Sequence, residues 1–330
     1  MRCKLRLNLP LLLAIFSILC AFFTHPLFAQ TVIILSDMPY SAKEKQMLQG
    51  PNGNLYRLIN QQKPSVVMHL GDLKNGQSSC TKALLSEHKA LLDQVYPGKI
   101  IYTPGDNDWT DCDRSSLTQH FDELDSLDFL LKLMYQTSPF LTRNLAKVKS
   151  QPTQVENSLW INDRIAISTL HIVGTSNGRA NVKQSSLHEA INKVDIRDNL
   201  NLDWLNTIAT HAKDFDALII GFQADIYQSA VIKSAACQLS PTKSCDAFAR
   251  YRQAFDKLAQ RIKKPILISH GDTGDFCFEQ LNNYLWRLNA AGDFRYLDAT
   301  KVNFNLNSAT MPFTISGLLN PELPNKACHN

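Results

Sequence analysis

After residue 29 the chain has no apolar run long enough to cross a bilayer, no low-complexity linker and no internal repeat. It has no C-x-x-C spacing, which argues against a thiolate-held zinc. A phosphate-cradling P-loop is absent, so a nucleotide switch has no local support. Charge of one sign is scarce as well. Of 34 basic residues, Arg2, Lys4 and Arg6 lie within the first six positions, where there is no acid. Beyond residue 29 the balance is 31 basic to 30 acidic, which offers no basic surface for nucleic acid or an anionic membrane.

What is present begins with an export signal. "MRCKLR" is a basic segment, "LPLLLAIFSILCAFF" an apolar core, and "PLFAQ" a cleavage site after Ala29. An uncleaved anchor is the alternative, but the apolar stretch is short for a span. Leu19, before Cys20, is not the small residue that a lipoprotein signal needs. The expected location is therefore the periplasm or the outside of the cell, with no membrane span once the signal is removed. Residues 30–330 are read as a single domain, since about 300 residues can bury a large core; two intimately packed halves are also compatible.

Six of the eight cysteines remain after residue 29: Cys80, Cys112, Cys237, Cys245, Cys277 and Cys328. An even number in an oxidising compartment points to disulfides, with fifteen pairings open. Cys80–Cys112, Cys237–Cys245 and Cys277–Cys328 are favoured, the middle pair closing the short loop "CQLSPTKSC". Unlinked thiols or a cysteine-bound metal are the alternatives.

Five short apolar runs have the length and composition of buried strands: "VIILSD", "VVMHLGD", "KIIYTPGD", "ALIIGFQAD" and "PILISHGD". Helical spacing appears in "CTKALLSEHKALLDQV", in "SLTQHFDELDSLDFLLKLM", over 183–213, and in "CDAFARYRQAFDKLAQRI", which Asp246 opens. "NSLWIN" and "RIAISTLHIVG" predict a hairpin, and "FRYLDA", "KVNFNLN" and "PFTISGL" further strands. The order predicts an α/β fold, with sheets packed together and helices outside.

Each of the five runs ends in an aspartate: Asp37, Asp72, Asp106, Asp225 and Asp272. Ligands of open α/β sheets bind beyond the carboxyl ends of strands. Carboxylates gathered there could not all stay ionised unpaired, and a divalent cation resolves the conflict. The bland reading is that Asp and Gly are ordinary strand-end turn residues.

The succession Asp37, "GD" at 71–72, "PGDND" at 104–108, "GFQAD" and "HGDTG" resembles the calcineurin-like metallophosphoesterases, over about residues 31–275, and most closely an exported, divergent bacterial branch. The resemblance implies two packed β-sheets flanked by helices, with metal at the strand ends and a phosphoester, such as a phosphorylated small molecule, as substrate. It places metal ligands at Asp37, Asp72, Asp106, Gln223 and Asp272, and catalytic roles at Asn107 and Asp108. Several family histidines are missing: Pro39, Asn107 and Gly274 stand in their places. The remaining set is all oxygen, so it suits one Mn²⁺, Mg²⁺ or Ca²⁺ better than zinc or iron. The alternative is no metal, with the acids held apart by Lys74, Arg114 and ordered water. Asn107 cannot shuttle a proton, which leaves His270 and Asp225 as the nearest candidate acids, and Lys74 as a phosphate contact. The expected function is hydrolysis of a phosphomonoester or diester by metal-activated water. The alternative is an inactive relative that keeps the pocket for binding. "DTG" at 272–274 also matches an aspartic-protease signature, but no second such motif exists to complete a dyad.

Overall fold

Strands buried on both faces build the molecule in layers. The computed structural model describes residues 30–136, 141–180, 182–229, 232, 235–237, 245–308 and 310–328. The expected export signal at 1–29 lies outside the described residues, as does the interior of the loop between Cys237 and Cys245. The strands are β1 Thr31–Leu35, β2 Val66–His69, β3 Ile100–Tyr102, β4 Lys149–Gln151, β5 Gln154–Asn162, β6 Ile165–Thr169, β7 Ala217–Gly221, β8 Ile266–His270, β9 Cys277–Asn282, β10 Leu285–Asn289, β11 Thr300–Phe304 and β12 Phe313–Gly317. They form one sheet in the order β12-β11-β1-β2-β3 and a second in the order β4-β5-β6-β7-β8-β10-β9. Neighbours β1, β2 and β3 run parallel, as do β6, β7, β8 and β10. The predicted hairpin is β5–β6, closed by Asp163 and Arg164, both at positive φ as a tight two-residue turn requires.

Alternate side chains of each strand face different cores. Val32 and Ile34 of β1 pack with Ile167, Ile219 and Leu267 between the sheets. Ile33 and Leu35 point the other way, to Leu48, Leu55 and Leu92. These last residues come from helices α1 Ala42–Leu48, α2 Asn54–Gln62 and α3 Lys82–Val95, joined farther along by α4 Glu123–Leu131. On the far side, α5 Leu187–Thr210 and α6 Ala249–Ile262 bring Ile208 and Phe255 onto Leu218 and Ile268. The result is an α/β sandwich of two central sheets with helices on both outer faces. Full burial of each such side chain contributes about 1.5–3 kcal/mol, so strands of five residues suffice when both faces are covered. Among the described residues no helix is long and apolar enough to cross a membrane.

The three favoured disulfides form, with Cα–Cα separations of 5.4 Å for Cys80–Cys112, 4.7 Å for Cys237–Cys245 and 4.9 Å for Cys277–Cys328. Two segments differ from expectation. "FRYLDA" at 294–299 is a turn, not a strand. Asp293 and Phe294 have φ of 51° and 59°, and the Asp298 carboxylate gathers the N–H groups of Ala299, Leu318, Leu319 and Asn320. The helix expected throughout 116–134 begins only at Glu123, because Asp122 caps it by accepting from the Leu124 and Asp125 N–H groups, each at 3.0 Å.

Candidate active site

The acids at the ends of β1, β2 and β3 come from one sheet, and Gln223 and Asp272, after β7 and β8, come from the other. Asp37, Asp72, Asp106 and Asp272 line one cavity of about 220 Å³, with Tyr40, Asn107, Arg114 and Asp293 around them. Asp37, Asp72 and Asp272 all sit in left-handed backbone, with φ of 52°, 58° and 78°. Such a conformation costs a non-glycine residue roughly 1–3 kcal/mol, and it concentrates at functional sites. Here it turns each carboxylate off its strand end toward the cavity. Gly71, at φ 93°, permits a close approach of the two loops: a Cβ there would lie 2.3 Å from the Gly105 nitrogen.

Gln223 holds the focus. Its Nε2 lies 3.3 Å from Asp72 Oδ2, 3.2 Å from Asp106 Oδ1 and 3.2 Å from Asp272 Oδ1. An amide nitrogen has two hydrogens, so three carboxylates share two. The amide orientation is assigned by the Gly174 N–H, which donates to Gln223 Oε1 at 2.6 Å. Gln223 thus turns its nitrogen to the acids and keeps its oxygen away, which is not how an oxygen ligand to a metal would sit. Among the described residues no group of three or more His, Cys, Asp or Glu forms a finished cation cage.

The remaining bonds orient the acids. Asp72 accepts from Tyr40 Oη at 2.9 Å and from Asn107 Nδ2 at 2.7 Å. Asp106 Oδ2 accepts from Thr175 Oγ1 at 2.6 Å. Thr175 stands in a left-handed turn with Ser176 and Asn177, at φ of 53°, 54° and 56°. Asn177 is anchored to α5 by its bond to Asp198, 2.7 Å, and by Arg197, whose guanidinium donates to the Asn177 carbonyl at 2.6 Å. The Asp272 N–H donates to the Asp37 carboxylate at 3.2 Å, which joins the two sheets directly.

Burial sets the electrostatics. Burial first, with Asp293 and Asp106 nearby, pushes the Asp37 carboxyl up to about 7. Burial and the neighbouring Asp111 push Asp106 up to about 6. Asp72 and Asp272 rise for the same two reasons, burial and adjacent carboxylates. A cluster of this kind holds protons at neutral pH unless another positive charge replaces them.

Other residues singled out in the sequence lie elsewhere. Asp108 is wholly buried and faces backbone: its carboxylate accepts from the N–H groups of Asp72, Leu73 and Gly105 and from Tyr102 Oη. It fixes the two loops and does not line this cavity. Asn107 lines the cavity, but its amide hydrogens are engaged by Asp72 and Tyr40, so it orients a carboxylate. His270 is fully buried and turned away, with Nε2 3.1 Å from Arg287 Nε and Nδ1 facing the Gly271 carbonyl. Asp225 leaves the expected cluster as well, because Arg287 takes its carboxylate at 2.7 Å. Lys74 does not line this cavity. Arg114 does, held by Asp111.

The sequence reading missed Tyr40, Thr175 and Asp293. Asp293 carried a legible signal, since "GD" at 292–293 follows β10 just as "GD" follows β2.

No family model matches the sequence, and no curated protein matches it. Solved structures do. One is a 5'-nucleotidase from Candida albicans SC5314, 10% identical with a TM-score of 0.45, matched over 88% of this chain and 51% of its own. A dimetal phosphatase from Danio rerio is 13% identical with a TM-score of 0.47, over 83% and 92% of the two chains. PhoD is 12% identical with a TM-score of 0.48, over 87% and 68%. The chain spans about half the length of the nucleotidase it matches.

Proposed function

We propose that this protein is an exported, divalent-cation-dependent phosphoesterase whose residues 30–330 form a single domain. The observation that carries the reading is the shortage of positive charge at Gln223: three carboxylates from two sheets share two amide hydrogens beside an open cavity. The donors available are carboxylates, which fit a hard cation in kind. Asp37, Asp72, Asp106 and Asp272 would hold it, with Asp293 adjoining Asp37. When bound, such a cation lowers the pKa of water and neutralises charge on a phosphoryl group.

The chain's own residues supply the rest. Arg114, reaching over Gly76 into the cavity, grips phosphoryl oxygens. Tyr40 and Asn107 fix the Asp72 carboxylate. Burial and the charge of Asp72 hold the Tyr40 hydroxyl well above its ordinary range, so it acts as a neutral donor. No histidine lines the cavity, so esters whose leaving group departs without a proton suit it best. Phe294, 58% exposed, sits at the rim with its ring 4.8 Å from that of Tyr40, which favours an aryl substituent.

Gln223 also supports a second reading. Its amide already occupies the focus of the acids, as it would in an inactive relative that uses the pocket to bind. One set of measurements separates the two. Protein prepared without chelators is assayed for metal content, for thermal shift with Mn²⁺, Mg²⁺ and Ca²⁺, and for hydrolysis of an aryl phosphate and an aryl diester. The first reading expects cation-dependent turnover abolished by Asp72→Ala and Asp106→Ala. Cation binding without turnover gives the second reading, and a folded protein indifferent to all three ions overturns the first.

A further inference from the structure

A second cavity, of about 150 Å³, lies behind Tyr40, between the start of α1, the loop after β2 and α3. Its polar lining is Ser41, Lys45, Lys74, Asn75, Ser78 and His88, and no carboxylate lines it. This is the reverse of the acidic cavity next door.

Two of these groups are buried without adequate partners. Lys74 is 1% exposed; its ammonium donates only to the Asn75 carbonyl, at 3.3 Å, and no carboxylate comes within ion-pair distance among the described residues. Asp108, Asp72 and Asp111 act on this ammonium from beyond ion-pair distance, and a buried ammonium without a direct ion pair is uncommon, because desolvation disfavours it strongly. His88 is 2% exposed, and neither ring nitrogen makes a hydrogen bond of ordinary geometry, although the Leu73 backbone lies near the ring. Lys45 stands at the mouth, its Nζ 2.9 Å from Glu87 on the solvent side. The Ser41 hydroxyl accepts from the Glu44 N–H at 3.3 Å and keeps its own hydrogen to donate.

The geometry points to a second ligand site here, for an oxyanion the size of inorganic phosphate. Such an ion accepts from Lys74, from the His88 N–H and from Ser41 at once, and gives Lys74 the direct ion pair that Asp108, Asp72 and Asp111 do not make. The site stands whether or not the acidic cavity is catalytic. The two cavities share Tyr40 and Asn75: Asn75 Nδ2 donates to the Tyr40 carbonyl at 2.8 Å, while the Tyr40 hydroxyl reaches Asp72.

The test is calorimetric titration of chelator-treated full protein with inorganic phosphate, against chloride at equal ionic strength. One phosphate per chain is expected. Lys74→Met and His88→Leu each weaken it by about tenfold or more, Lys45→Ala weakens it less, and Arg114→Ala leaves it unchanged. Absence of phosphate binding overturns the site, as does wild-type affinity in both buried variants. Loss of binding in Arg114→Ala alone assigns the anion to the acidic cavity and overturns it too. If the buried variants do not fold, the wild-type His88 imidazole resonances decide: they shift with phosphate, or the site is wrong.

Discussion

The Asp293 carboxylate occupies the space that a side chain at Gly274 would need: a Cβ on Gly274 would lie 2.7 Å from Asp293 Oδ2. Both residues are left-handed, at φ of 51° and 58°. Position 274 is where the family resemblance expects a histidine, so in the proposed cation site an acid from the loop after β10 would stand in for an imidazole from the loop after β8. Asp293→Asn should therefore weaken Mn²⁺ binding by about tenfold, the worth of one charge-assisted contact. Calorimetry on the folded variant checks this, and unchanged affinity would remove Asp293 from the site.

The acid cluster also sets a pH dependence. Asp37 titrates near 7 and Asp106 near 6 in the folded chain without a cation, against an ordinary 3.8. Between pH 4 and 7 the native state therefore binds more protons than the unfolded chain, and stability falls as pH rises. The contribution is whole below about pH 4 and lost above about pH 7. Chelated protein should melt at a lower temperature at pH 8 than at pH 5, and saturating Mn²⁺ should flatten the trend. A melting temperature that climbs with pH in chelator would contradict the raised carboxyls.

Gly71→Ala tests the loop approach. The new methyl would meet the backbone of Gly105 at 2.3 Å, from a φ of 93° that alanine resists. Neither partner is the flexible end of a side chain, so a loss of about 2–4 kcal/mol is expected in chemical denaturation. A loss below about 1 kcal/mol would show that the two loops yield easily.

The Cys80–Cys112 disulfide joins residues 32 apart, one of them two positions before Arg114. Replacing both cysteines by serine should cost about 3.7 kcal/mol through loop entropy. It should also release Arg114, so that KM for a phosphoester rises more than kcat falls. An equal loss in the Cys277–Cys328 pair's double variant would argue for a global effect.

The layered fold was legible because its five central strands are apolar on both faces, and the aspartates stand out against such runs. β10 escaped for a physical reason. Arg287 interrupts it, yet Arg287 is 1% exposed and neutralised by Asp225 and Glu279, at 2.7 and 3.1 Å. A buried charge whose partners lie on another strand and in the loop after β7 disguises a core strand as a surface one. With β10 went Asp293, the sixth acid of the pattern. Thr175 was invisible because its left-handed turn uses no glycine until Gly178, and its support comes from Arg197 and Asp198, some twenty residues away. The orientation of Gln223 depends on one backbone N–H, that of Gly174, which no sequence spacing announces.

Gln223 belongs to one layer of the sandwich, and two of the three acids it touches belong to the other. Whatever occupies that focus is a rivet through both plates. Its arrival or departure is felt along the whole seam, so melting of the entire molecule, and not the motion of a single loop, is the natural gauge of how full the site is.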